Sequence, residues 1–290
     1  MTKRRPSRLR ILPSIRGFFT LPKQIAILQT EIKQLKQKNV NLETKLGVST
    51  SKLMTLQRQL EGRPERGPKS SRIDKLYRQL EDRFRGPESL IMERLTTYVP
   101  DFQSLPAELQ KLPVIDIGSG RGEFLGLMSR LGFRVTGVDT NKNLVWHAQK
   151  LGYNVVEDDA LHFLRALESD SLAAVTGFHI VEHIPTEYLL EIFSECYRTV
   201  APGGFALFET PNPQTISVGA NTFYLDPSHL RPTPSQLLSF LLESAGFVPE
   251  VRFLHPLKAT PKNINKYTSE MHETLYGPGD YAVLAQKTKA

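Results

Sequence analysis

The stretch VIDIGSGRGEF, residues 114–124, constrains the fold more than any other part of the chain. A short apolar run leads into Gly118, Gly120 and Gly122, and a helical pattern opens at once. Glycine lacks a Cβ, so the backbone can turn tightly there and approach a ligand closely. The rest of the sequence repeats this alternation. Apolar runs at 114–117, 135–138, 172–178 and 205–208 read as buried strands, with helical patterns around 124–131, 143–151, 160–167 and 187–200. Such alternation predicts an α/β fold, a mostly parallel sheet with helices on both faces. Ligands of these sheets sit at the carboxyl ends of the strands, so the residues just after each strand are the candidate site.

Those residues are largely acidic. Asp116 precedes the first glycine and Glu123 follows the third. A dinucleotide-binding fold has a similar glycine turn, but a loop flanked by two carboxylates repels a pyrophosphate. It favours a ligand that carries positive charge. Asp139 ends the second strand about twenty residues after the glycines, where an acid grips ribose hydroxyls. After the third strand signal, EDDAL offers Asp159 and Ala160, a carboxylate and a backbone N–H suited to an adenine edge. Taken alone, Asp158 or Asp159 reads as a helix N-cap. In series with Asp116 and Asp139 they read as a binding track.

The order VIDIGSGRGEF, GVD, EDDAL, an apolar strand with EHIP, and RTVAPGGFALFETPNP resembles the class I S-adenosylmethionine-dependent methyltransferases. The resemblance covers residues 73–290. It implies a Rossmann-like seven-stranded sheet and S-adenosylmethionine as cofactor, whose sulfonium and ammonium suit the acidic loop. YRQLEDRFRGPESLI at 77–91, TGFHIVEHIP and the segment NPQTISVGANTFYLDPSHLRP further resemble methyltransferases of bacterial surface-polysaccharide clusters, notably those that cap polymannose O-antigen chains. Those proteins carry a coiled coil after the catalytic part, and here a heptad pattern precedes it. The resemblance implies that Tyr77, Arg85 and Gly86 cover the cofactor, with Arg85 on its methionine carboxylate. It also implies a saccharide acceptor.

GFHIVEHIP, at 177–185, packs His179, Glu182 and His183 behind the fourth strand. In the resembling fold this strand ends beside the transferred methyl, so Phe178 lines the cofactor and His179 faces the acceptor. Methyl transfer is mostly positioning of two reactants. A sugar hydroxyl must also lose a proton, and a histidine is a suitable base near neutral pH. The favoured reading has Glu182 and His183 hydrogen-bonded to the loop of Asp226 and His229, with His179 as base or positioning group and no resident metal. A second reading sets His179, Glu182, His183 and His229 around a metal, as in ubiquinone-pathway and small-RNA methyltransferases that carry Glu-x-x-Glu-His here. Imidazole in place of the first glutamate suits zinc better than magnesium. A third reading makes all three histidines structural. The long segment 208–234 is rich in hydrogen-bonding and stacking side chains, among them Asn212, Asn221, Phe223 and Tyr224, which suit a sugar.

The N-terminal quarter differs in kind. Residues 1–72 carry 17 Lys/Arg against 4 Asp/Glu, and residues 73–290 carry 20 against 26. The net charge of +7 therefore belongs to the N-terminus, and the catalytic part lacks the basic stripe of a nucleic-acid enzyme. Residues 1–22 interleave six basic side chains with Ile11, Leu12, Ile15, Phe18 and Phe19, a composition that suits an anionic membrane surface or a glycan-assembly partner. A disordered basic tail reads equally well. Residues 23–61 follow a heptad. Ile25, Ile32, Asn39, Leu46, Leu53 and Leu60 fall at a, and Leu28, Leu35, Leu42, Ser49 and Leu56 at d. Nine of these eleven positions are apolar, and Asn39 at a is a register-fixing device, which predicts a parallel homodimeric coiled coil. Residues 62–72, rich in proline, glycine and charge, read as a linker. No apolar run approaches the roughly 18 residues of a membrane helix. Cys196 is the single cysteine, so a disulfide framework is excluded and a cytoplasmic setting is expected, peripheral to the inner membrane face if the tail binds lipid. Three rival readings remain: a small-molecule or quinone O-methyltransferase, a single-stranded RNA methyltransferase that uses the basic tail as its electrostatic footprint, and a coiled-coil scaffold with a non-catalytic methyltransferase fold.

Overall fold

In a computed structural model, residues 87–256 and 268–289 are described. The basic tail, the heptad segment, the linker, Tyr77, Arg85 and Gly86 lie outside these residues.

The chain enters through two helices, α1 (Glu88–Leu95) and α2 (Val99–Gln103), separated by a 3₁₀ turn at Thr96–Tyr98, and a third short one, α3 (Ala107–Gln110). It then alternates β1 (Val114–Ile117), α4 (Glu123–Arg130), β2 (Val135–Asp139), α5 (Lys142–Lys150), β3 (Val155–Glu157), α6 (Ala160–Arg165) and β4 (Leu172–Phe178). After a 3₁₀ turn at Val181–His183 come α7 (Thr186–Thr199) and β5 (Val200–Pro211). A long segment holds α8 (Ile216–Gly219) and a 3₁₀ turn at Thr222–Leu225. The chain closes with α9 (Ser235–Ser244), β6 (Val248–Pro256), α10 (Ser269–Tyr276) and β7 (Pro278–Gln286).

The seven strands order as β3-β2-β1-β4-β5-β7-β6, so the expected seven-stranded sheet is present. β1 to β5 run parallel, and β7 is antiparallel to both β5 and β6. Both faces are covered, and this is why β1 and β4 read as near-continuous apolar runs. On one face α6, α7 and α9 pack around Leu164, Ile192, Phe193 and Leu238. On the other, α1, α2, α4 and α5 pack around Phe102, Phe124 and Met128. Leu189, Ile192, Phe193 and Cys196 recur at helical spacing on α7, and all four are buried against the sheet.

Two features of this topology place the site. The strand order reverses between β1 and β4, which opens a crevice at their carboxyl ends. β7 runs backwards, so its first residues meet the last residues of β5: Asp280 stands opposite Pro211 and Tyr281 opposite Thr210. The fifth strand is longer than the sequence pattern indicates, because its ends are polar or contain glycine and proline while still pairing with β4 and β7. Among the described residues, no helix is long and apolar enough to cross a membrane.

Candidate active site

A cavity of about 430 Å³ lies at the carboxyl ends of β1, β2 and β4. Gly118, Gly120, Asp139, Asp158, Asp159, Ala160, Phe178, His179 and His183 all line it. The sequence track and the acceptor motif therefore meet in one space. Gly118 has φ +65°, and a Cβ there would come 2.7 Å from Ile180 Cδ1. Only glycine allows this loop to pass close beneath the cavity wall. Asp139 is held by its own turn: Oδ2 accepts from Gly120 N at 2.9 Å and Oδ1 from Asn141 N at 2.7 Å. Burial pushes its pKa up, and the two backbone N–H bonds oppose that.

Two expected cofactor residues, and the acid that follows them, have other duties. Asp116 is buried and accepts from Thr176 Oγ1 at 2.7 Å, so it braces β1 against β4 and does not line the cavity. Gly122 does not line it either; at φ +87° it starts α4, and a Cβ would strike Tyr153 at 2.7 Å. Glu123 was expected to repel anionic ligands. It is buried and ion-paired with Arg121 at 2.7 Å, so its charge is neutralised within the loop. Asp159 combines both of its sequence readings. It caps α6, accepting from Leu161 N at 2.9 Å and His162 N at 3.0 Å, and it also faces the cavity.

His179 differs most from expectation. It adopts φ +54°, rare for a residue with a side chain, just as the chain leaves β4. Its N–H donates to Glu209 O at 2.8 Å, and its ring sits among three carboxylates. Nδ1 is 3.3 Å from Glu182 Oε1, while Nε2 is 3.3 Å from Glu209 Oε1 and 3.8 Å from Asp280 Oδ1. Burial alone would push this imidazole down. Its contacts with Glu182 and Glu209 and the charge of Asp280 outweigh burial and hold it up at about 10. An imidazole held charged is a poor proton acceptor, so these contacts favour the positioning half of the expected base-or-positioning role. Tyr98, from the 3₁₀ turn after α1, donates to the other side of Glu209 and fixes it.

His183 is built differently. Ser228 Oγ donates to Asp226 Oδ1 at 2.5 Å and lies 3.1 Å from His183 Nδ1. With its proton committed to Asp226, the serine oxygen accepts Nδ1–H, which leaves the lone pair on His183 Nε2. Burial pushes the imidazole down, partly opposed by Glu182, so the ring is neutral at physiological pH. His229 also has one ring nitrogen tied. Its Nδ1 donates to Phe223 O at 2.6 Å, and its Nε2 lies 3.9 Å from Glu182 Oε1. Backbone also joins the two segments, since Leu230 N donates to Glu182 O at 2.9 Å. The expected contact between the EHIP motif and the Asp226–His229 loop is present, with Ser228 as an unforeseen intermediary.

Glu182 is fully buried. Oε2 accepts from Thr210 Oγ1 at 2.9 Å, and Oε1 makes no aligned hydrogen bond. Burial raises its pKa, and the contact with cationic His179 more than reverses this. Glu182, His183 and His229 each place one donor atom within 4.8 Å of the others. Glu182 Oε1, which makes no aligned hydrogen bond and lies 3.3 Å from the His179 ring, forms with two imidazoles whose Nδ1–H groups are tied elsewhere a donor set that fits a divalent ion of the zinc type. The sequence reading assigned no metal, and the geometry assembles this set nonetheless.

Glu209, Asp280, Tyr98, Tyr188 and Ser228 went unnoticed in the sequence. Only Glu209 carries a local signal, an acid inside the apolar strand FALFETP.

Comparison with known proteins agrees with this geometry. Residues 80–250 match the methyltransferase-domain family. A probable S-adenosylmethionine-dependent methyltransferase of Mycolicibacterium smegmatis is 33% identical over 149 residues, 50% of this chain and 56% of that protein. A ubiquinone biosynthesis O-methyltransferase of Paracidovorax citrulli is 36% identical over 116 residues, 37% of this chain and 46% of that protein. The chain thus spans about half the length of these curated relatives. The solved structure of an S-adenosylmethionine-dependent methyltransferase from Archaeoglobus fulgidus is 33% identical, superposes with a TM-score of 0.64, and is matched over 73% of this chain and 99% of its own. Sheet order, glycine cradle and relatives agree, and this chain belongs to the class I S-adenosylmethionine-dependent methyltransferases.

Proposed function

We propose that this enzyme transfers the methyl group to a hydroxyl of a saccharide, with His183 as the base. The observation that carries this is the Asp226–Ser228–His183 chain, which sets a neutral imidazole on the cavity wall with its Nε2 lone pair unspent. When bound, the cofactor supplies a methyl carbon made electrophilic by its sulfonium. The glycine turn, Asp139 and Asp159 would hold the donor, with Phe178 toward its methyl end. His183 would take the acceptor proton as the methyl passes to the oxygen and the thioether leaves, with the His179 ring balancing Glu182, Glu209 and Asp280 behind it. The saccharide assignment is supported by the segment 212–234, which offers exposed Asn221, Thr222 and Tyr224 around Phe223, whose carbonyl holds the His229 ring, and by the sequence resemblance to surface-polysaccharide methyltransferases.

The donor set of Glu182, His183 and His229 favours a second reading, a metal-assisted O-methyltransferase of small molecules. These three residues would hold the ion, which would supply Lewis acidity to the acceptor hydroxyl. The relatives named for ubiquinone biosynthesis lend it support.

The test combines calorimetric titration of S-adenosylmethionine with transfer assays on mannose-type and other acceptors, with and without EDTA. His183→Ala is expected to keep cofactor affinity and to lose roughly 10²–10⁴-fold in kcat, the usual worth of a positioned base. Loss of transfer in EDTA with intact cofactor binding selects the metal reading. Transfer to no saccharide, with activity on phenols, removes the saccharide acceptor.

The heptad segment and basic tail lie outside the described residues. We infer from their sequence a homodimer joined at 23–61, held near an anionic membrane or a glycan-assembly partner on its cytoplasmic side.

A further inference from the structure

The wall that α7 presents to the cavity is apolar but for one group. Ile184, just before the helix, and Tyr188 and Ile192 on it recur every four residues and line this wall, and only Tyr188 carries a polar side-chain atom. Its hydroxyl donates to Asp159 Oδ1 on α6 and so joins two walls of the cavity. That same oxygen accepts from Leu161 N and His162 N. A carboxylate oxygen offers about two lone-pair directions, so three donors use up Oδ1 and pin the plane of the group. Oδ2 is the atom left to meet a ligand.

We propose that Tyr188 is a positioning residue for recognition of the cofactor's base. By pinning Asp159 it makes the carboxylate present a single fixed acceptor, which takes an exocyclic amino group and rejects a carbonyl. The role rests on the reading that the adenine end of the cofactor lies beside Asp159 and Ala160. Helix capping alone would not need Tyr188, because the two backbone N–H groups already satisfy the cap.

The experiment is calorimetric titration of the full chain with S-adenosylhomocysteine and with its hypoxanthine counterpart, S-inosylhomocysteine. The parent protein is expected to favour the adenine compound by about tenfold, within the range that an unpaired buried polar group costs. Tyr188→Phe keeps the ring and should shrink the ratio to about threefold or less, mainly by weakening the adenine compound. Asp159→Asn gives an independent readout. The three donors should select the amide oxygen at the Oδ1 position, turn the NH₂ toward the ligand and invert the preference toward hypoxanthine. Adding Tyr188→Phe should weaken that inversion. An unchanged ratio in Tyr188→Phe, whether both affinities hold or fall together, overturns the proposal. Absence of any preference in the parent, or an adenine preference that survives Asp159→Asn, shows instead that the base does not meet Asp159. The underlying reading then fails, and the role of Tyr188 with it.

Discussion

At the scale of single residues, the site depends on where charge is balanced. His179 is a cation because Glu182, Glu209 and Asp280 surround it. Unfolded, its imidazole titrates near 6.5; folded, it titrates at about 10. The raised value fixes the sign: the charged ring stabilises the fold fully below pH 6.5, and this stabilisation is lost as pH rises toward about 10. In EDTA, the melting temperature of the parent protein should therefore fall across that window. His179→Gln should flatten the fall and cost on the order of a few kcal/mol near neutral pH. A melting curve as steep in the variant as in the parent would remove His179 as its source. The sequence shows that His179, Glu182 and His183 belong together, but not their division of labour. That division is set by Glu209 and Asp280, 30 and 101 residues beyond His179 in the chain. No local pattern announces that an antiparallel strand will carry Asp280 back to the end of β5. The proposed proton acceptor depends on Ser228, whose residue type is too common in loops to stand out.

At the scale of elements, the parallel strands were legible because burial on both faces leaves a nearly pure apolar run. β1 and β4 fall where the pattern puts them. β6 and β7 escaped, since a strand with polar edges and a helix between it and its neighbour has no distinct period. β4 carries a further constraint at its end. A Cβ on Gly177 would come 2.8 Å from Ile180 Cγ2 and 2.9 Å from Phe208 Cδ1. Ile180 cannot yield freely, because it already crosses Gly118 and lines the cavity. Gly177→Ala is expected to cost about 1–3 kcal/mol of stability by overpacking and to weaken cofactor binding as Ile180 moves. Chemical denaturation and calorimetry on the same sample check both effects. Loss of stability with full cofactor affinity would confine the residue to packing.

At the scale of the whole molecule, the chain joins regions of opposite charge. The basic excess lies within residues 1–72, and the catalytic part is net acidic. The proposed dimer rests on the heptad pattern, in which Asn39 at a is the residue expected to hold the assembly at two copies. Asn39→Leu in the full chain should raise the oligomer above a dimer, measured by sedimentation equilibrium, because a buried amide at a disfavours larger bundles. A monomer in both proteins would dismiss the coiled coil.

The lone thiol of Cys196 offers a further use. It lies on the buried face of α7, against the sheet, and burial pushes its pKa far up. A reagent in solution can reach it only when that helix leaves the sheet. Its rate of alkylation is therefore a clock for opening of the central core in an otherwise unmodified enzyme. A second cysteine placed on the surface could carry a probe without cross-labelling, so distance measurements between paired copies need no cysteine-free background.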